Sequence, residues 1–398
     1  MEQNTSFPGN KKKNQHYVPR MYLRNFASGE KKAISLYNLP SKRVVSCAPI
    51  KHQCSAPYFY GQDLKLEDAL EDIEGLIASV ISGIISTNAL PRNKSNDHFH
   101  LILFTLFQYA RTKEMANAHN DIADKFLKAV LEKEGSFDQE ALKAVTIELT
   151  EPAQLALSSA AQSYYLLLDL KMKVLINSTE VEFVTSDNPV IFYNQYLEKS
   201  DPRLGSNTGL VSKGLQIFLP LSPKHLLTLY DGTVYKIGDR RSDSCNVTDP
   251  NDVRQFNDLQ YLNCLENLYA YGGFSGSDIF FLDQRNAKRK RNPKATLNQY
   301  EQGGRSDGLS SVLLHVMKSD CRINLSLQSI RQLVKVSIDE LNAHPRPVRN
   351  PQMVRVYNEF RAQVKAEKYH PGEFHRYVND VVSSQRQFLA ELGTRKSL

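Results

Sequence analysis

The chain has 398 residues, of which 41% are hydrophobic and 23% are charged. These proportions are typical of a chain that folds around a buried core, and they exclude an intrinsically disordered protein. The 50 Lys and Arg residues exceed the 43 Asp and Glu residues by only +7, which is too small an excess for a protein dedicated to wrapping nucleic acid.

The cysteine pattern and the N-terminal residues indicate in which cellular compartment the protein is expected. Five cysteines without a C-x-x-C pair predict reduced thiols and a cytoplasmic protein. Residues 1–15 are polar, unlike a signal peptide. Because polar residues and glycines interrupt the longest apolar stretches, we expect no membrane-spanning helix.

The first predicted element lies in residues 16–26, a segment rich in basic and aromatic side chains around one proline. Since Pro19 suits the first turn of a helix, the pattern predicts a short helix over residues 19–26. Its 3.6-residue period separates two faces. The apolar face consists of Tyr22, Leu23 and Phe26, and the basic face consists of Arg20 and Arg24, with His16 just before the helix.

The remaining elements follow in chain order from the hydrophobic periodicity. The first half predicts strands at 33–39 and 43–45 and helices at 66–86, 98–130, 138–148 and 151–170. The second half predicts strands at 173–176, 181–185, 190–193, 216–220 and 226–230, a helix at 252–269, and surface helices within 350–392. The nearly continuous apolar run at 99–107 indicates that the helix at 98–130 is central.

These elements predict an α+β fold, with a central helical bundle packed on a small mixed or antiparallel sheet and a helical C-terminal extension. We expect a flexible basic N-terminus at 1–13, a core domain at 14–275, a mobile polar loop at 276–310 and a mainly helical extension at 311–398.

Two motifs resemble an uncharacterised bacterial family, domain of unknown function 4238. One is His-Tyr-Val-Pro-Arg-x-Tyr-Leu-Arg-Asn-Phe at 16–26, and the other is Phe-Val-Thr-Ser-Asp-Asn-Pro-Val at 183–190. The resemblance covers residues 14–275 and includes Gln108, Arg111 and Asn257. It implies a shared architecture and a shared motif, but no reaction.

The second motif allows two interpretations. Asp187 follows a predicted strand, and carboxylates at strand ends are often part of active sites. Ser-Asp-Asn-Pro is also an ordinary turn sequence, in which the Asp side chain accepts backbone N–H bonds and Asn188 is held extended by Pro189.

Together the motifs predict a site for an anion. Guanidinium groups bind phosphate oxygens bidentately, and an imidazole transfers protons near neutral pH. We therefore predict His16 and Asp187 as catalytic residues, with Asp187 orienting the imidazole or a metal. The predicted anion-binding residues are Arg20, Arg24, Arg111 and Gln108, and the predicted supporting residues are Tyr17, Tyr22, Asn188 and Asn257.

The sequence names no cofactor with certainty. A metal-dependent mechanism would use Mg²⁺ or Mn²⁺, whose carboxylate ligands would come from Glu67, Glu71 and Glu74 on one helical face. The simpler interpretation of these three residues is a solvated or ion-paired face. No H-E-x-x-H, Walker A or G-x-G-x-x-G motif occurs.

The functional hypothesis is a hydrolase that cleaves phosphodiester bonds in nucleic acid, above all RNA, in the context of a toxin or phage-defence effector. The first alternative is a non-enzymatic module that binds a nucleotide or a partner's acidic segment in the same pocket. The second is a buried structural network in which Arg111 or Arg20 pairs with Asp187.

Overall fold

The computed structural model describes residues 13–135, 138–289, 295–302, 311–318 and 320–383. Over these residues the protein has an α+β fold, in which a helical bundle packs on small sheets and further helices follow toward the C-terminus. The predicted fold class is confirmed, and the strands form several sheets. In the described part of the chain, no helix is long and apolar enough to cross a membrane.

The helices are bounded mainly by side-chain caps and prolines. Ser95, Thr112 and Asp138 each accept a backbone N–H at the start of a helix, which satisfies a donor that the helix itself leaves unpaired. The helices are α1 (Arg20–Leu23), α2 (Lys65–Thr87), α3 (Asn96–Ala110), α4 (Lys113–Glu134), α5 (Gln139–Ala144), α6 (Pro152–Ser163), α7 (Pro250–Asn263), α8 (Gly276–Asn286), α9 (Ile338–Asn342) and α10 (Pro351–Lys365).

The strands belong to one mixed sheet, one antiparallel sheet and three strand pairs. The strands are β1 (Asn14–His16), β2 (Ala33–Asn38), β3 (Arg43–Pro49), β4 (Ser55–Pro57), β5 (Lys171–Asn177), β6 (Thr185–Ser186), β7 (Ile191–Tyr193), β8 (Gln216–Ser222), β9 (His225–Tyr230), β10 (Tyr235–Ile237), β11 (Ser244–Val247), β12 (Asn267–Ala270), β13 (Ala295–Gln302), β14 (Ser311–Lys318) and β15 (Ile330–Gln332). The mixed sheet has the order β11-β5-β9-β8-β7, and the antiparallel sheet has the order β3-β2-β12-β6. The pairs are β1-β4, β10-β15 and β13-β14.

The five-stranded sheet is buried on both faces. In β8, Ile217 and Leu219 pack in the core shared with α1, α2, α3 and α6, whereas Phe218 packs in the core shared with α7. The alternation follows from the two-residue period of a strand. Its near-continuous apolar sequence reflects this double burial.

One predicted helix is broken. The helix expected at 98–130 ends at Ala110 and a new helix begins at Lys113. The cause is local, because the Thr112 side chain accepts the Met115 N–H and caps α4. The break matters for the site, since Arg111 lies in it.

Two other predictions need correction. The helix expected at 252–269 ends at Asn263, and its last residues form β12. The polar loop predicted at 276–310 contains α8 and β13, while its residues 290–294 and 303–310 lie outside the described residues, as do residues 1–12 of the predicted N-terminal tail. The C-terminal extension has the expected helices, α10 and a segment at 374–383, but it begins with β14.

Candidate functional site

The N-terminal motif folds as its periodicity predicts. Pro19 precedes α1 with φ of −62°, and a single 3₁₀ turn, Arg24–Phe26, extends the helix. Tyr22 and Phe26 are fully buried, whereas Arg20 and Arg24 are exposed. The motif therefore anchors itself by one face and presents two guanidinium groups on the other.

A cavity of about 290 Å³ lies where β1 and α1 meet α2. The structure thus brings His16, Arg20 and Arg24 together, as predicted. Glu67, Glu71 and Glu74 of α2 also line the cavity. The helical face for which a solvated or ion-paired role was the simpler interpretation is therefore part of this site. The cavity is lined by His16, Arg20, Met21, Arg24, Glu67, Glu71, Glu74, Gly75 and Ala78.

His16 is neutral at physiological pH. Burial, aided by the positive charge of Arg20, lowers the pKa of His16 to about 4, although a hydrogen bond to the Lys51 backbone opposes the shift. Its Nε2 atom is buried and has no hydrogen-bond partner among the described residues. A neutral imidazole with an unpartnered ring nitrogen retains an unused hydrogen-bonding position.

Arg111 lies behind this cavity, buried to 1% exposure. Its Nη1 donates to Glu74 Oε1 at 2.7 Å, and its Nε donates to Gln108 Oε1 at 2.9 Å. Gln108 in turn donates to the Tyr17 carbonyl at 3.1 Å. The Gln108 side chain is thus occupied by protein groups at both of its ends. Arg111 keeps one buried atom, Nη2, without a hydrogen-bond partner among the described residues, and its role in anion binding stays a prediction.

The contacts of Asp187 differ from the predicted contact with His16. Its carboxylate accepts the backbone N–H groups of Leu265, Glu266 and Asn267 at 2.7 to 3.0 Å. Burial raises the pKa of Asp187, and these three bonds oppose the rise. The side chain does not line the His16 cavity, and among the described residues it makes no contact that would orient the imidazole.

The prediction that Asp187 acts on His16 is accordingly wrong. The interpretation of the motif as a turn explains the contacts better, although the bonds go to a segment almost 80 residues away in sequence and not to the turn itself. The predicted buried network is also wrong in its pairing, since Arg111 pairs with Glu74 and not with Asp187.

The predicted supporting residues have structural contacts. The Tyr22 hydroxyl bonds to the Thr185 hydroxyl at 2.7 Å and donates to the Pro220 carbonyl at 2.6 Å. Tyr17 is buried, with its ring 5.2 Å from that of Phe59. The other two residues pin α7 to the second motif: Asn188 donates to the Asn263 carbonyl, and Asn257 donates to the Glu182 carbonyl and accepts the Val184 N–H.

The three glutamates do not form a recognisable metal centre. In the part of the chain that the structure describes, no group of three or more His, Cys, Asp or Glu side chains is arranged to hold a metal ion. Glu74 is engaged by Arg111. The use of Mg²⁺ or Mn²⁺ stays a prediction for the assays below.

Comparisons with known proteins agree with the motifs. A family model described as "Protein of unknown function (DUF4238)" matches residues 14–271, and the chain belongs to that family. No curated protein and no solved structure matches the chain.

Proposed function

We propose that the protein hydrolyses phosphodiester bonds in RNA at the His16 cavity. The family to which the chain belongs is described only as being of unknown function, so the proposal rests on the side chains of this protein. One observation carries the proposal: a neutral imidazole with an unpartnered buried nitrogen shares a cavity with two exposed guanidinium groups. Phosphodiester cleavage needs these two kinds of group, one to move a proton and one to bind the charged phosphorus oxygens.

The guanidinium groups bind the substrate. Among the described residues, no carboxylate lies within ion-pairing distance of Arg20 or Arg24, so their N–H groups are not already committed to a protein anion. The two side chains leave one face of α1 four residues apart, which lets them contact adjacent oxygens of one phosphate.

His16 moves the proton. With a pKa of about 4 it is unprotonated at neutral pH, and it therefore acts as the base that accepts the proton of the attacking 2′-hydroxyl. The 2′-oxygen bonds to phosphorus as the bond to the 5′-oxygen breaks. The leaving 5′-oxygen takes a proton from solvent, to which the imidazolium returns its own, and water then hydrolyses the cyclic phosphate. A bound phosphate raises the pKa of the imidazole by its negative charge, which makes the imidazole a stronger base in the complex than in the free protein.

Glu74, which also lines the cavity, is ion-paired with Arg111 at 2.7 Å, so its charge is balanced within the protein. A phosphate in the cavity is bound from the α1 side, where Arg20 and Arg24 supply the positive charge.

The test is incubation of the full-length protein with tRNA, single-stranded RNA and duplex DNA, with added Mg²⁺ or Mn²⁺ and with a chelator. We expect cleavage of the RNAs and a loss of about 100-fold or more in rate for His16→Ala. The matched control is His370→Ala, which removes an exposed histidine outside the cavity. Circular dichroism verifies that each variant is folded.

The outcomes separate the proposal from its alternative. Cleavage that is lost in His16→Ala and kept in His370→Ala supports the proposal, and its response to the chelator decides the metal dependence. RNA binding without cleavage, weakened by Arg20→Ala but not by His16→Ala, supports the non-enzymatic binding module instead. A toxin or phage-defence role predicts that expression of the wild type, but not of His16→Ala, stops growth of the host cell.

A further inference from the structure

A second cavity, of about 530 Å³, lies beside the strand that carries His16. It is formed by the segment after β4, residues 58–63, and by the residues at the start of α6. The side chains that matter below are Tyr58, Phe59, Gln62, Asp63, Thr150 and Glu151. The cleavage proposed at His16 does not use this cavity.

The wall of this cavity is fixed to β1. The buried Gln15 side chain donates to the Gly61 carbonyl at 3.1 Å and accepts the Tyr60 N–H at 2.6 Å. Gly61 has φ of +100°, and a Cβ there would lie 2.8 Å from Gln154 Nε2, so only glycine fits. The cavity and His16, which directly follows Gln15, therefore keep a constant spacing.

Tyr58 presents its ring at the mouth of the cavity. It is 41% exposed and has φ of 51°, a left-handed conformation that is costly for a bulky side chain. Its N–H donates to the Lys13 carbonyl at 2.8 Å. The Lys13 ammonium lies 5.8 Å from the ring centroid, which places a cation beside an exposed aromatic face.

The polar groups of the cavity select against an anion. Asp63 and Glu151 are exposed carboxylates, and among the described residues neither forms an ion pair. They repel phosphate, but they accept hydrogen bonds from amino groups. An aromatic platform with such acceptors matches the face and the edge of a nucleobase that carries an exocyclic amino group.

We propose that this cavity binds a base of single-stranded RNA, stacked on Tyr58 and hydrogen-bonded through its amino group to Asp63 or Glu151, while a neighbouring phosphate occupies the His16 cavity. The proposal rests on the proposed RNA substrate. Gln15, whose side chain holds the wall of this cavity, directly precedes His16 in β1, so one short oligonucleotide contacts both subsites. Adenine, cytosine and guanine carry the amino group, and uracil does not.

The test is fluorescence anisotropy with labelled 2′-O-methyl oligonucleotides of A, C or U, each six nucleotides long, which bind without cleavage that uses the 2′-hydroxyl. We expect tighter binding of A and C than of U. Tyr58→Ala weakens binding of the A oligonucleotide about tenfold, Tyr58→Phe keeps it, and Asp63→Asn combined with Glu151→Gln removes the preference over U. Phe280→Ala, which removes a 60% exposed ring on α8, is the control.

Two results overturn the inference: equal binding by wild type and Tyr58→Ala, or no binding of any oligonucleotide by the wild type. A 2-aminopurine base in place of one adenine gives an independent readout, since stacking on Tyr58 quenches its fluorescence. Because these assays measure binding, failure of the proposed cleavage with intact Tyr58-dependent binding refutes the activity and leaves the base site standing.

Discussion

The two sequence motifs look equally functional in the printed sequence, yet the structure treats them differently. In the first motif, His16 keeps an unpartnered ring nitrogen beside the exposed Arg20 and Arg24. In the second, Asp187 is 3% exposed and uses its carboxylate to accept three backbone N–H groups. The His16 imidazole thus keeps an unused ring nitrogen, whereas the Asp187 carboxylate is used by the protein itself; in the second motif the unpartnered buried atom is Asn188 Oδ1.

This difference teaches how to separate a site from a structural element when both are polar. Buried polar groups are normally satisfied, so an unsatisfied polar group that also lines a cavity is a candidate contact for a ligand. A satisfied carboxylate stabilises the fold and has little left for a substrate. The comparison predicts that variants in the two regions separate stability from activity.

The largest effect on stability is expected for Asp187→Ala. The substitution leaves three backbone N–H groups without their acceptor in the interior, which lowers the free energy of unfolding by about 4 kcal/mol. Urea denaturation measures the loss. The control is Asp72→Ala on the exposed side of α2, for which we expect a change within about 0.5 kcal/mol. A stable but inactive Asp187→Ala protein would contradict the comparison.

Arg111 combines features of both regions. It is buried and ion-paired with Glu74, and Glu74 lines the His16 cavity. Arg111→Met lowers the free energy of unfolding by about 3 kcal/mol, since it leaves Glu74 and Gln108 without their donor. A double-mutant cycle with Glu74→Gln measures the coupling in the same denaturation assay. A coupling energy of zero would show that the ion pair at 2.7 Å is not formed in solution.

The next-largest effect is expected in the pH dependence of the free energy of unfolding. The pKa of His16 is about 4 in the folded protein, whereas that of an ordinary histidine is 6.5, so between these pH values the unfolded chain binds a proton that the folded protein does not. The contribution to stability is complete above pH 6.5 and is lost as the pH falls to 4. After allowance for solvent screening it amounts to about 2 kcal/mol.

Urea titrations at several pH values check this contribution. We expect the acid limb of the stability curve to be shallower in His16→Gln than in the wild type. If RNA is cleaved as proposed, kcat/KM, which reports the free protein, should hold down to about pH 5 and fall as the pH approaches the His16 pKa of about 4. Identical acid limbs in wild type and His16→Gln would refute the lowered pKa.

The smallest effect on stability is expected for Arg20→Ala and Arg24→Ala, within about 0.5 kcal/mol, because both side chains are exposed. Their effect on RNA binding is larger. Each substitution should reduce the slope of log affinity against log salt by about 1, since each guanidinium releases one counterion. Arg331→Ala, an exposed arginine on β15, should leave the slope unchanged.

The fold was predictable where local pattern determines it. The helix predicted at 66–86 appears at Lys65–Thr87, because its apolar period is regular. The break at Arg111 was not predicted, since Thr112 is compatible with a helix interior until its side chain caps the next helix. The strand β12 was hidden in an apolar run that continues the helical pattern of α7, and only pairing with β2 and β6 makes it a strand.

The sequence predicted which residues of the candidate site lie together where they belong to one motif, but not where they come from separate segments. The spacing of Arg20 and Arg24 fixes their common face. Which face of α2 meets α1 depends on tertiary packing, so the sequence held Glu67, Glu71 and Glu74 without showing that they line the cavity. The contact of Asp187 with residues 265–267 joins segments almost 80 residues apart, and no local pattern encodes it.

The Tyr22 hydroxyl, which reaches the Pro220 carbonyl across 198 residues of sequence, has a consequence for the order of events during synthesis. The residues of the His16 cavity leave the ribosome before residue 220, but the Tyr22 hydroxyl is bonded to the Pro220 carbonyl only after residue 220 has been made. At ordinary translation rates this takes roughly 10 to 40 seconds. A nascent chain therefore carries the cationic motif without its assembled cavity until the sheet has closed over Tyr22.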